Sequence, residues 1–164
     1  MIKKLDLTSE AAAMQVLDVQ IPSYRVEAEL IGFNGIPYLS DTVESLMQAE
    51  EEFYGYLVDG QLAGMVALSM EEDVLRISRL VIAPPFFRQG IGRKLVQFVL
   101  DQNALIETIA VSTGASNLPA VCLYQKLGFV DTGVMEVAPD IFIALFERKK
   151  ESAYQYLENV LVNP

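Results

Sequence analysis

The chain has 164 residues, of which 52% are apolar and 21% charged, enough for a packed core and against disorder. Its net charge of −10 disfavours nucleic acid, whose binding needs Lys and Arg to displace counterions. The absence of histidine removes imidazole bases and most transition-metal sites.

A cationic substrate fits the acidic balance, and so does simple solubility. The lone Cys122 leaves no intrachain disulfide and suits a reducing compartment. MIKKLDLTSE runs straight into an alanine-rich amphipathic segment, and no apolar run approaches the ~20 residues of a membrane span. A cytoplasmic chain with no membrane and no nucleic-acid partner is the expectation.

In chain order, Ile2 to Leu7 reads as a first strand, and Thr8 or Ser9 caps a helix through about Val19. Pro22-Ser23 breaks it and begins a second short helix, YRVEAELIG, stopped by Gly32. Asn34-Gly35 and Pro37 mark a loop, and Asp41 caps a third helical piece, TVESLMQAEEE. From Phe53 the period changes to that of strands. FYGYLV and QLAGMVALSM flank Asp59-Gly60 as a hairpin with a primed turn, and VLRISRLVIA is the third strand of the meander after Glu71-Glu72-Asp73. Arg88 to about Asn103 reads as a helix with Ile91, Leu95, Phe98 and Val99 as its apolar stripe. Thr108 to Ser112 is a short buried strand. Ser116 or Asn117 caps the next helix, with Pro119 in its first turn and Gly128 at its close. Phe129 to Val137 and Ile141 to Phe146 form a last pair of strands, and 150–161 a closing helix. The sequence shows no internal repeat and no linker, so one α+β domain with a mixed sheet is expected over residues 1–164.

The stretch from Val74 to Gly92 organises this pattern, because a strand leading into a glycine turn and a helix start can hold a phosphate. A P-loop needs Gly-Lys-Ser/Thr, and here Arg93-Lys94-Leu95 follows Gly92. A dinucleotide fingerprint needs a third small residue where Leu95 stands. Two readings are left from the segment alone. Either the amides of Arg88 to Arg93 wrap a pyrophosphate with charge from Arg88, Arg93 and Lys94, or this is a plain tight turn into a helix with solvated basic residues.

Downstream, NLPAVCLYQKLGF places Asn117 at a helix start and Tyr124 seven residues on, before Leu-Gly-Phe. With Ile82-Ala83-Pro84 and Phe87-Arg88-Gln89-Gly90-Ile91-Gly92 upstream, the chain resembles the GNAT superfamily of N-acetyltransferases, most specifically over 74–130. That family carries V-x-P, then R/Q-x-x-G-x-G/A, then N…LY-x-K-x-GF. Phe87 departs from the Arg or Gln of the pattern, at a position that contributes largely through its backbone amide.

The resemblance implies an αβα-layered fold with a mixed, mostly antiparallel central sheet, and acetyl-CoA as co-substrate with no metal. It implies that backbone groups of Leu80, Val81 and Ile82 pair with the pantetheine arm and polarise the thioester carbonyl. The pyrophosphate would lie on the turn formed by Phe87, Arg88, Gln89, Gly90, Ile91, Gly92, Arg93 and Lys94. Tyr124 would protonate the departing thiolate, since tyrosine near pKa ~10 keeps its proton while a thiol leaves near ~8.5. Asn117 would bind CoA or a structural water, or simply cap its helix. Cys122 reads as a small core residue, as do Met65, Met70, Phe86 and Phe87 as core or cleft wall. Tyr24, Phe33 and Tyr38 lie in the region that covers the acceptor in this family.

The general base is not found from the sequence. An alkyl ammonium needs roughly 4.6 kcal/mol to lose its proton at pH 7, yet the strand from Leu75 to Val81 holds no carboxylate. Glu44, Glu71, Glu72 and Asp73 read as solvated, and Arg79, if buried, needs a partner. The expected function is direct acetyl transfer from acetyl-CoA to an amine-bearing small molecule or peptide. The alternative is a non-catalytic acyl-CoA sensor or regulatory module on the same fold. A homodimer, with the closing helix contributing, is compatible with the resemblance.

Overall fold

Alternating apolar residues in the middle of the chain produce an antiparallel meander of β2 (Glu52–Val58), β3 (Gln61–Glu71) and β4 (Val74–Ile82) in the computed structural model, which describes residues 1–162. Asp59 and Gly60 sit at φ 49° and 79°, the left-handed pair that a primed two-residue turn demands. β1 (Ile2–Leu5) pairs with β2, and β5 (Thr108–Gly114) lies parallel to β4. β6 (Val130–Ala138) and β7 (Ile141–Lys149) complete a seven-stranded sheet in the order β1-β2-β3-β4-β5-β7-β6. Only the β4–β5 pair is parallel, as expected for strands joined through a crossover helix.

The helices cover both faces, giving the expected αβα layers. On one face α1 (Glu10–Ile31) and α2 (Val43–Met47) enclose Val16, Leu46, Phe53, Met65 and Val81. On the other, α3 (Ile91–Gln102) and α4 (Leu118–Lys126) enclose Val66, Ile77, Leu95, Val99, Val111 and Phe146. A further helix, α5 (Ala153–Val162), follows β7, close to the expected 150–161. Among the described residues no helix is long and apolar enough to cross a membrane.

Two helical expectations are corrected. Pro22 does not split the first helix: α1 runs unbroken for 22 residues from its Ser9 cap to Gly32, which is left-handed at φ 68°. A proline removes one backbone hydrogen bond and crowds the preceding turn. Here Pro22 and Asp18, one turn before it, are both exposed, so water can serve the freed carbonyl. Buried Val16, Val19, Gln20, Tyr24 and Ala28 hold the two halves against one surface. The third helical piece is shorter than expected and is capped by Thr42, not Asp41. Thr42 and Ser45 form a reciprocal capping box.

Asp41 is used elsewhere. Ser78 is an extra residue in β4: Arg79 lies opposite Ala67, but Ile77 lies opposite Leu68. This bulge reverses the inside–outside alternation. Leu75 and Ile77 pack towards α3 and α4, and beyond the bulge Leu80 and Ile82 do so as well. Arg79 is thereby turned to the α1–α2 face, where it is buried. Its Nη1 donates to Asp41 Oδ2 at 2.6 Å and Gln20 Oε1 at 2.9 Å, and its Nη2 and Nε to Glu51 at 2.8 and 3.1 Å. The guanidinium also lies 4.2 Å from the Tyr38 ring centroid. Burial works against its charge, and Glu51 and Asp41 more than offset that, so the guanidinium is held above its ordinary value.

Arg79→Ala strands two partly buried carboxylates. It is expected to lower unfolding free energy by about 3–5 kcal/mol, the range for breaking one side of a buried ion pair. Urea denaturation measures this, and a loss below ~1 kcal/mol would place the network among weak surface pairs.

Candidate active site

The bulge at Ser78 also marks where the sheet opens. β4 and β5 pair from Val74–Thr108 to Ile77–Val111 and no further. Beyond that point Ser78–Ile82 and Ser112–Gly114 continue without facing one another, although β4 keeps its ladder to β3 through Ile82 and β5 its ladder to β7 through Gly114. The β5-facing backbone of Leu80, Val81 and Ile82 therefore lacks a strand partner.

A cavity of about 650 Å³ occupies the gap. Tyr24, Glu27 and Ile31 reach it from α1, Phe33 and Tyr38 from the segment after α1, Ser78 and Leu80 from β4, and Thr113, Asn117 and Tyr124 from β5 and α4. Since α1 and α4 lie on opposite faces of the sheet, only the parted strands let their side chains meet in one space.

The expected site residues fall into two groups. Leu80, Asn117 and Tyr124 line the cavity. Val81 is buried on the α1–α2 side and Ile82 packs on the α3–α4 side, so these two can offer only backbone to the gap. Phe87, Arg88, Gln89, Gly90, Ile91, Gly92, Arg93 and Lys94 lie beyond the end of β4 and outside the cavity lining. Helix α3 begins at Ile91 and not at Arg88, because Arg88 and Gly90 are left-handed at φ 61° and 76°. Both exposed residues shape a loop ahead of the amides of the first helical turn. Ile91 is buried as the anchor of that turn, while Arg88, Arg93 and Lys94 are exposed. Among the described residues none of these three cations forms an ion pair, and the first turn of α3 carries no acidic residue. Gly90 needs its φ, not space, whereas a Cβ at Gly92 would meet Leu123 of α4 at an ordinary 3.5 Å. The loop thus offers helix N-terminal amides, a helix dipole and three cations that form no ion pair among the described residues, Lys94 resting on Tyr56 at 3.3 Å, which suits a pyrophosphate.

Tyr124 is buried, with its ring against Phe129 and Phe146 at centroid distances of 5.6 and 6.0 Å. Burial, and then the negative charge of Glu27, raise its pKa above the ordinary tyrosine value. Asn117 caps α4, accepting from the N–H of Ala120 at 3.3 Å, and its Nδ2 donates to Thr113 Oγ1 at 3.4 Å. Cys122 corrects another expectation: it is exposed and not part of the core. Two residues along a helix is about 200°, so pointing Tyr124 inward points Cys122 out. Met65 is buried as expected, but Met70 and Phe87 are exposed. Tyr24, Phe33 and Tyr38 all reach the cavity.

Among the carboxylates weighed from the sequence, Glu44, Glu72 and Asp73 are exposed, and Glu71 pairs with Arg76 at 3.1 Å. Two cavity carboxylates escape sequence reasoning: Glu51, which is paired with Arg79 at 2.8 Å, and Glu27. Glu27 receives a hydrogen bond from Thr113 Oγ1 at 3.4 Å, and among the described residues no cation lies within 4.0 Å of it. Burial pushes its pKa up, against the opposing pull of Asn117, Thr113 and the Gly114 N–H. A signal was present: Tyr24, Glu27 and Ile31 are spaced i, i+3, i+7 on one helical face. No group of His, Cys, Asp or Glu among the described residues is arranged to hold a metal ion.

A profile of the Acetyltransferase (GNAT) family matches residues 16–129. UPF0157 protein YqkA of Bacillus subtilis (strain 168) is 40% identical over 146 residues, covering 89% of this chain and 43% of that protein. [Ribosomal protein bS18]-alanine N-acetyltransferase of Escherichia coli (strain K12) is 29% identical over 73 residues, 43% of this chain and 49% of that one. The chain therefore spans less than half the length of these curated relatives. The crystal structure of the ribosomal-protein-S18-alanine N-acetyltransferase from Escherichia coli superposes with a TM-score of 0.73 at 16% identity, over 93% of this chain and 95% of that one. PaiA N-acetyltransferase from Thermoplasma acidophilum, in complex with coenzyme A, gives 0.67 at 18% identity, over 91% and 99%.

An unpaired carboxylate whose pKa is raised by folding makes the native state bind more protons than the unfolded one, so its charged form destabilises the fold as pH rises. Glu27→Gln is accordingly expected to melt above the unmodified protein at pH 7–8. The gain should shrink as pH falls through the elevated range of Glu27 and disappear below the ordinary carboxylate range. Calorimetric melts from pH 4 to 8 measure it, and a lower melting point for the variant at neutral pH would contradict it.

Proposed function

The chain belongs to the acetyltransferase (GNAT) family, and we propose that it moves an acetyl group from acetyl-CoA directly to an amine on a small molecule or peptide. The parting of β4 from β5 after Ile77 and Val111 carries the reading, because it joins a row of unpaired strand backbone to a buried phenol across the sheet. Acetyl-CoA supplies an activated carbonyl and a sulfur leaving group. The backbone of Leu80, Val81 and Ile82 binds the amides of its arm and stabilises negative charge on the carbonyl oxygen. The turn presents the amides of Arg88 to Gly92 to the pyrophosphate, with Arg88, Arg93 and Lys94 adding charge. The Phe87 N–H donates to the Pro84 carbonyl at 3.2 Å and closes the turn before the loop, so the departure from Arg or Gln leaves the loop intact. Asn117 orients Thr113 and holds the start of α4 beside the cleft.

Tyr124 is the hydroxyl that meets the leaving sulfur. With its pKa raised it keeps its proton throughout the physiological range. Complete transfer to a thiolate near ~8.5 runs uphill by 1.36 kcal/mol for each unit of difference. Its first contribution is therefore a hydrogen bond that stabilises the developing thiolate, with the proton following as the charge on Glu27 is neutralised. Direct transfer fits better than a covalent acyl-cysteine, since exposed Cys122 points away from Tyr124 on α4 and no histidine exists to activate it. A β4 strand without a carboxylate favours the sensor alternative, and Glu27 on α1 brings a carboxylate to the cavity from another element.

Tyr124→Phe is expected to lower thiol release from acetyl-CoA in the presence of amines by about 100-fold or more, while calorimetry shows unchanged acetyl-CoA affinity. Full turnover by the variant would remove Tyr124 from the chemistry. Failure of the unmodified protein to bind acetyl-CoA would remove the function itself.

A further inference from the structure

We propose that Glu27, carried on α1, is the catalytic base: it receives the acceptor as an ammonium ion and takes its proton. This rests on the acetyl-transfer reading and names the group that reading lacks. Glu27 is half-buried, and a carboxylate withdrawn from water in a cleft without a cation partner is a candidate for function. The two arginines at this cavity are already matched, Arg79 to Asp41 and Glu51, and Arg76 to Glu71. Glu27 has only neutral partners. Thr113 donates to it at 3.4 Å, and Asn117 at the start of α4 donates to Thr113 in turn, so its carboxylate is oriented without being neutralised.

Besides the matched pairs Arg79–Glu51 and Arg76–Glu71, the titratable groups that line the cavity with Glu27 are Tyr24 on the same helix, Tyr38 after it and Tyr124 across the gap. All three have their pKa values raised, Tyr24 and Tyr38 first by burial, so they remain neutral and leave Glu27 as the group that changes charge. The rings of Tyr24 and Tyr124, with Phe33, form aromatic walls suited to an ammonium ion, while Arg79 occupies the face of Tyr38. An elevated carboxylate is also a better base for an amine than an ordinary one, because it narrows the gap between donor and acceptor.

The step balances. One N–H bond of the ammonium breaks, its electron pair stays on nitrogen, and the proton moves to the Glu27 carboxylate. Nitrogen then forms its bond to the acetyl carbon as the carbon–sulfur bond breaks with its pair on sulfur. The second nitrogen proton accounts for the thiol, and Glu27 returns the first to solvent. Neutralising Glu27 removes one of the two causes that raise the Tyr124 pKa, so the phenol becomes a better donor when the sulfur needs one.

The test compares the full chain with Glu27→Gln, each saturated with CoA, by NMR titration with n-butylammonium and with neutral 1-butanol. Glu27→Gln is expected to weaken n-butylammonium binding by 10-fold or more and to leave 1-butanol unchanged, with the carboxyl carbon of Glu27 titrating above the ordinary range in the unmodified protein. Once an amine is found that turns over, the same variant should lose 100-fold or more in kcat together with the acidic limb of its pH profile. Equal n-butylammonium affinity in both proteins, or no binding by either while both bind CoA, overturns the proposal. CoA binding by neither protein instead removes the acetyl-transfer reading beneath it. Glu27→Asp, which shortens the reach but keeps the charge, should retain n-butylammonium binding, and a loss as great as in Glu27→Gln would also overturn the proposal.

Discussion

One added residue in a strand governs this molecule. Ser78 bulges out of β4 opposite β3, and a bulge bends its strand and increases the local twist. The last β4–β5 pair, Ile77 with Val111, comes immediately before it. A continuous sheet would isolate its two faces, and α1 and α4 would never share a surface. The gap turns a barrier into a passage about 650 Å³ in volume, and Glu27 from one layer stands with Tyr124 from the other. Backbone that would otherwise be spent on strand pairing is left for a ligand.

The same bulge fixes what lies beside the gap. By reversing the alternation it sends Arg79, not a residue of the α3–α4 core, to the face covered by α1. There Asp41, Glu51 and Gln20 converge on the guanidinium, and Ser78 Oγ bonds both Glu51 and the Ala67 carbonyl. Gln20 also donates to the Tyr38 carbonyl at 3.0 Å and to Asp41 at 2.7 Å, tying α1 to the segment before α2. The wall that carries Tyr38 is thus held by a matched charge network. Glu27, two turns further along α1 from Gln20, is left outside it. Matched charge builds the wall, and unmatched charge faces the space it encloses.

Much of this was legible in the sequence because local chemistry specified it. Asp59-Gly60 announced its turn, alternation announced β2 to β4, and Asn117 announced a helix cap. What was missed lay in tertiary context. Pro22 looked like a helix end, yet burial of Val19, Gln20 and Tyr24 around it outweighs one lost hydrogen bond. Arg88 looked like a helix start, but Arg88 and Gly90 adopt left-handed backbone that delays α3 to Ile91. Glu27 went unrecognised because nothing in the order of residues says that a helix on one face will look through the sheet. Its helical spacing from Tyr24 was readable; the opening that gives the spacing meaning was not. Cys122 has the size and polarity of a core residue, but its separation from Tyr124 places it on the opposite, exposed side of α4.

The central claim is that the parted strands and the loop before α3 together form a CoA site. Amide hydrogen exchange of the full chain with and without acetyl-CoA tests this most directly. The account predicts slowed exchange confined to Leu80–Ile82 on β4 and to the amides from Arg88 through Lys94, with the β6–β7 hairpin unchanged. Bound acetyl-CoA that protects neither segment would contradict it, because the ligand would then sit somewhere other than the opening that organises the fold.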